Sequence, residues 1–383
     1  MGTKPIRRAA VLSLICLVGL TWGVGPTAQE PFDFDDSAGI IELAIVLDTS
    51  GSMKTLIDAA RLTMWDVVNE LTQLDPSPQL RVALLTYGNS KNGRENGYVR
   101  IESPLTADLD LVSERLFQLE TSGGEENVAR VLQAAVEQLA WTDSVDSIKL
   151  VFIAGNESAE QDKLVDLRSV ALDALGKDLV VHAVYCGREQ KPDAESWKVL
   201  AEMASGQFAS INHRTAALLA ETPFDGEMAE LSTALNQTYV PFGEAGKGRL
   251  KIQTAQDENA QSLNAATAAT RAQTKAGALY SQTWDVVDVL QSGQIELYEI
   301  DEAELPEVMR EMTYAERESY IEQQFRKRQE IRQQILLLSA QRRDHVAGQA
   351  KKKGIDGSRT FDGVVRRAIR KQLSEKGFRP ESP

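Results

Sequence analysis

Apolar runs and helical-period stretches alternate along the first 240 residues of this chain. Residues 40–47 (IIELAIVL) are almost continuously apolar, the pattern of a strand buried on both faces. The run ends at Asp48. From Lys54 the period changes, and Leu56, Ala60, Met64, Val67 and Leu71 recur every three or four positions, as on one face of a helix. Asp75-Pro76 stops that helix. Further on, the pattern predicts strands over 80–87, 148–154, 179–185 and 208–211 and a short edge strand at 98–101. Between them it predicts helices over 109–119, 128–141, 159–175 and 194–204. Strands that alternate with helices predict an α/β domain over 40–240, a Rossmann-like, doubly wound, mostly parallel sheet with helices on both faces.

Beyond Pro241 the composition shifts. Residues 255–278 are rich in Ala, Thr, Gln and Asn, which favours helix but offers little large apolar surface. Residues 284–290 add a small apolar cluster. Residues 305–346 are rich in Glu, Gln and Arg, with Ile321, Phe325, Ile331, Ile335 and Leu338 as a broken apolar stripe. An α-helical C-terminal region is therefore expected over 241–383, its helices packed as a hairpin or against the core. The stripe sustains no clean heptad over several turns, which leaves a long coiled coil as an alternative.

The N-terminus changes the picture of where the protein works. Lys4, Arg7 and Arg8 precede a mostly apolar stretch at 9–25, and small residues follow at Thr27-Ala28. This is the pattern of an export signal over 1–28, followed by an acidic linker at 29–39. The expectation is a periplasmic or secreted protein; an N-terminal anchor left uncleaved is the alternative. Loss of the signal would remove Cys16 and leave Cys186 alone, so no internal disulfide is expected. The net charge of −14 is uneven: residues 321–383 hold 16 Lys and Arg against 7 Asp and Glu, a tail of +9 on a body of −23. The tail's options are contact with the acidic body, contact with an anionic envelope surface, or a solvated helical face; no nucleic-acid partner is expected.

The chemistry concentrates where the first strand gives way to the first helix. Asp48-x-Ser50-x-Ser52 puts three oxygen side chains at alternate positions of a tight loop, and Gly51 lets the loop bend. In open α/β sheets, ligands sit at the carboxyl ends of strands. Hard oxygen donors favour Mg²⁺, with Mn²⁺ or Ca²⁺ as alternatives. Two neutral hydroxyls leave such an ion under-neutralised, so it can attract a partner's carboxylate. The plainer reading is that Ser50 and Ser52 only cap the following helix.

The run Ile45-Val46-Leu47-Asp48-Thr49-Ser50-Gly51-Ser52-Met53 resembles the opening of a von Willebrand factor A domain with its metal-ion-dependent adhesion site. The resemblance covers about half of the chain and is of the exported bacterial type with a helical C-terminal extension. It implies three loops at the site. The second is Thr121-Ser122-Gly123-Gly124-Glu125-Glu126-Asn127, where the resemblance puts Glu126 at the ligand position and Glu125 next to it as the alternative. The third usually carries Asp at its strand end, and here that position is Gly155, followed by Asn156 and Glu157 as possible substitutes. The implied metal set is Asp48, Ser50, Ser52 and Glu126. The implied activity is metal-dependent binding of a protein partner that offers a carboxylate. A metal-free scaffolding role through the C-terminal helices is the alternative.

No enzyme is expected. The second Asp of a haloacid-dehalogenase-type loop is replaced by Ser50, and the carboxylate pair of an aspartic protease has no second copy of its motif. His182, His213 and His345 stand at no recognisable metal or catalytic spacing. Residues 243–248 (GEAGKG) follow no strong strand and read as a linker rather than a phosphate loop.

Overall fold

The computed structural model describes residues 39–71, 74–75, 78–144, 147–211, 221–293, 295–353, 361–375 and 379–380. The export signal, almost all of the acidic linker and His213 lie outside the described residues.

Six strands form the central sheet: β1 (Ile40–Asp48), β3 (Gln79–Tyr87), β4 (Arg100–Thr106), β5 (Ile148–Gly155), β6 (Leu179–Tyr185) and β7 (Phe208–Ser210), in the order β4-β3-β1-β5-β6-β7. All neighbours are parallel except the antiparallel edge pair β3 and β4. A separate two-stranded ribbon pairs β2 (Leu74–Asp75) with β8 (Arg379–Pro380). The predicted doubly wound sheet is the one observed. β4 starts later than the expected edge strand and runs on to Thr106, with register shifts against β3 that mark a bulge.

Strand periodicity builds two cores. On β1, Ile41, Leu43 and Leu47 point to one face, and Ala44 and Val46 to the other. The first face is covered by α1 (Lys54–Leu71) and α2 (Leu109–Gln118), the second by α3 (Val128–Gln138), α4 (Leu167–Gly176) and α5 (Asp193–Met203). α4 begins at Leu167, well after the expected start at 159. Asp166 fixes that start, because its carboxylate accepts the Ser169 N–H and caps the first turn.

Among the described residues seven α-helices follow: α6 (Asp225–Asn236), α7 (Gly243–Leu263), α8 (Ala265–Ala276), α9 (Val286–Gln291), α10 (Glu307–Arg310), α11 (Tyr314–Lys353) and α12 (Phe361–Glu375). The segment at 243–248, expected as a linker, forms the first six residues of α7. α8 is buried from Ala266 to its last residue, Ala276. Its Ala269, Ala272 and Ala276 let neighbouring helices approach closely and pack with Met228, Tyr280 and Ile335. The apolar stripe of α11 serves two clusters, Ile331 and Ile335 in one and Ile321 in the other, packing against the preceding helices.

Polar bonds tie these helices to the sheet domain. Asn69 on α1 donates to the Thr270 carbonyl at 2.8 Å, and Ser113 on α2 donates to Gln256 at 2.9 Å. Arg271, fully buried, meets Asp110 at 2.6 Å and Asp257 at 2.9 Å and lies over the Trp65 ring at 4.4 Å. Some of the basic tail turns inward. Arg328 binds Asp285 and Asp288, each at 2.6 Å, and Arg342 binds Asp225 at 2.9 Å. α12 falls within the α-helical region expected over 241–383, but no local pattern assigned it to the sheet. Its Val364, Val365, Ala368, Ile369 and Leu373 complete the first face of the sheet.

Candidate functional site

The site lies at the carboxyl end of the three central strands. In the sheet register Asp48 stands opposite Tyr87, and Leu47 opposite Ala154, so the last residues of β1, β3 and β5 open onto one place. Loop one leaves β1 at Asp48. Thr49 holds it to β3 by donating both its N–H and its hydroxyl to the Tyr87 carbonyl, each at 2.9 Å. The Ser50 N–H donates to Asp48 Oδ1 at 2.7 Å, folding the loop back on its own carboxylate. Ser122 of the second loop donates its N–H to the Thr49 carbonyl at 3.1 Å.

Two glycines let the loops close. Gly88 has φ +74°, which disfavours a side chain, and a Cβ there would fall 2.9 Å from Asp48 Oδ1 and 3.2 Å from Glu126 Cγ. A Cβ at Gly124 would fall 2.9 Å from the Gly88 carbonyl oxygen. Bare backbone at both positions brings Asp48, Ser50 and Glu126 around one point.

All four residues singled out from the sequence meet there. Asp48, Ser50 and Glu126 are buried, while Ser52 is exposed at the mouth with its Oγ 3.4 Å from Ser50 Oγ. Of the two adjacent glutamates, Glu126 turns in against Asp48, while Glu125 is exposed and lines a polar cleft with Arg94 and Arg130. Burial raises Asp48 to about 6 against the pull of the Ser50 N–H. Burial, then the Asp48 charge, pushes Glu126 up to about 9, with Glu157 adding to both. Asp48 Oδ2 is buried and has no N–H or hydroxyl donor.

At the third loop the expected acidic position is filled by Gly155. Asn156 donates from Nδ2 to Ser52 Oγ at 3.1 Å, whereas Glu157 is exposed and accepts from Gln161 at 2.6 Å. Sequence reasoning passed over Tyr87 and Gly88, which shape the floor of the site. A Gly directly after a buried strand was the available signal. His182 stacks on Phe152 inside the sheet core, with ring centroids 4.6 Å apart, and takes no part in the site.

The donor set fits a hard divalent cation. Its members are oxygens, one of them buried without a donor. Two carboxylates from different loops are pressed together, and a positive charge between them would relieve both. Among the described residues no group of three or more His, Cys, Asp or Glu could hold a metal, so neutral oxygens would have to complete any cation shell built on Asp48 and Glu126.

Residues 42–222 match the family of the von Willebrand factor type A domain. Among solved structures, the chain is similar to proximal thread matrix protein 1 from the mussel byssus, at 15% identity and a TM-score of 0.35, over 45% of this chain and 42% of that one. A second structure of the same mussel protein, described as having a zinc-occupied MIDAS motif, aligns at 14% identity and a TM-score of 0.37, over 46% of this chain and 43% of that one. The match thus spans under half of the mussel protein's length. No curated protein matches the chain.

Proposed function

We propose that this chain, with its von Willebrand factor type A domain over residues 42–222, is a metal-dependent protein-binding protein that works by adhesion or complex assembly and not by turnover. The observation that carries the reading is the buried convergence of Asp48 and Glu126, from separate loops, on the Ser50 and Ser52 hydroxyls at the open end of the sheet. Asp48 and Glu126 would hold a divalent cation, Mg²⁺ in the first instance, with the two serine oxygens as neutral donors. When bound, that cation supplies a Lewis-acidic position for a carboxylate of the partner. The protein's own contribution is preorganisation. The Ser50 N–H orients Asp48, the Thr49 bonds to β3 fix the loop, and Gly88 leaves room for the two acids. The export pattern at the N-terminus supports action in the periplasm or outside the cell.

Calorimetric titration of the full chain with MgCl₂, followed by affinity capture with and without chelator, tests the reading. Saturable binding that Asp48→Ala abolishes, while the circular dichroism spectrum and melting stay cooperative, is the expected result. A flat titration of the wild-type chain would refute it. The second reading, a metal-free scaffold acting through the C-terminal helices, draws on Leu336 and Leu337, exposed side by side on α11 at 47% and 62%. It predicts capture that neither chelator nor Asp48→Ala alters.

A further inference from the structure

We propose that Asn156 supplies the third-loop oxygen of the candidate metal site, a role that Gly155 is sterically barred from filling. The inference rests on the metal-binding reading above and names the donor which that reading leaves open.

Gly155 has no room for a side chain. A Cβ there would lie 2.1 Å from the Tyr87 hydroxyl oxygen and 3.0 Å and 3.1 Å from two ring carbons of Trp197. Neither ring can retreat, because both residues are wholly buried. The Tyr87 hydroxyl is anchored on the Ala154 carbonyl at 3.0 Å, and the Trp197 indole N–H on the Glu157 carbonyl at 2.7 Å. A carboxylate at 155 would have to pass through two fixed aromatic rings.

The next residue can reach the site. Asn156 touches the first loop through its bond to Ser52 Oγ at 3.1 Å, and Ser52 Oγ sits 3.4 Å from Ser50 Oγ. Its Oδ1 is buried and has no hydrogen-bond partner. Burying an acceptor without a donor is unfavourable, and native structures keep such groups where something else satisfies them. Asp48 Oδ2 is in the same condition. Two orphaned oxygens, from two loops that meet at the same pair of serines, are what one cation would satisfy together. An amide oxygen is a hard donor suited to Mg²⁺, Mn²⁺ and Ca²⁺. The Asn156 Nδ2 is held by Ser52 Oγ, which leaves Oδ1 as the amide atom free to meet a cation. Glu157 is not the substitute. Its carboxylate is engaged with Gln161 on the exposed side, and its charge reaches the site only at a distance.

Titration of the full chain with MnCl₂, followed by calorimetry and by the loss of the free-ion electron paramagnetic resonance signal, tests the assignment. Asn156→Ala should weaken Mn²⁺ binding by roughly tenfold or more. Asn156→Asp, which keeps the oxygen and adds a charge, should bind at least as tightly as wild type. It should also melt lower than wild type in chelator and gain more than wild type from added Mn²⁺. Should the amide serve only as a donor to Ser52, Asn156→Asp would instead lose affinity as Asn156→Ala does, and that result overturns the assignment. So does Asn156→Ala binding within about twofold of wild type while Asp48→Ala does not bind. Absence of saturable binding to the wild-type chain overturns the metal reading itself, and this inference with it. If Asn156→Ala does not fold, the Asn156→Asp titration decides.

Discussion

Replacing Gly155 with alanine drives a methyl group into space that the Tyr87 hydroxyl already holds. The new Cβ would sit 2.1 Å from Tyr87 Oη, where ordinary contact begins near 3.4 Å, and 3.0 Å from Trp197. Gly155 has no positive φ, so the alanine brings no backbone strain and the cost is one of packing. Overpacking of this kind costs about 1–3 kcal/mol. Pushing the Tyr87 hydroxyl aside also breaks its bond to the Ala154 carbonyl and leaves both groups buried, about 1 kcal/mol more. Gly155→Ala should therefore destabilise the chain by about 2–4 kcal/mol. Tyr87→Phe alone should cost about 1 kcal/mol, for the lost hydrogen bond. In the Tyr87→Phe background the worst clash is gone, so the alanine should add about 1 kcal/mol. Urea denaturation of the four proteins closes the double-mutant cycle. A single-mutant cost below about 0.5 kcal/mol, or the same cost in both backgrounds, would show that Tyr87 does not bar side chains from the end of β5.

Two other perturbations probe the frame around the site. His182 is held neutral, its proton affinity lowered to about 4 by burial and then by Lys371. Between pH ~6.5 and ~4 the unfolded chain takes up a proton that the folded chain refuses, so stability should fall with acidification across that window, by about 3 kcal/mol in all. His182→Gln should flatten this part of the urea-derived stability profile, and an unchanged slope would count against the buried neutral imidazole. Arg271→Met removes the cation paired with buried Asp110, leaving it only the Tyr280 hydroxyl, and should cost about 3–5 kcal/mol in urea melts. A loss under about 1 kcal/mol would mean that the helical extension is not fastened to α1 and α2 through this arginine.

Local signals carried far in this chain. The apolar run of β1 and the helical period after Lys54 determined a parallel sheet with a loop at its open end, because burial on both faces leaves no polar positions to confuse the period. The same reading brought Asp48, Ser50 and Ser52 together, since residues two apart on one turn are close whatever surrounds them. The resemblance to the von Willebrand factor A domain, and not local pattern, places Glu126 ahead of Glu125; in the structure Glu126 is buried against Asp48 and Glu125 is exposed. Local pattern failed where partners are distant. Nothing near residues 361–375 says that α12 covers a sheet begun some 320 residues earlier, although Val364, Val365, Ala368 and Ile369 show an amphipathic period once looked for. Nor does the sequence around Gly155 say that its missing side chain is excluded by Tyr87, 68 positions away. That exclusion, and the opening it leaves to Asn156, exists only once β1, β3 and β5 are in register. Packing at the sheet's end depends on which side chains the strands bring face to face, and no single stretch of chain contains that information.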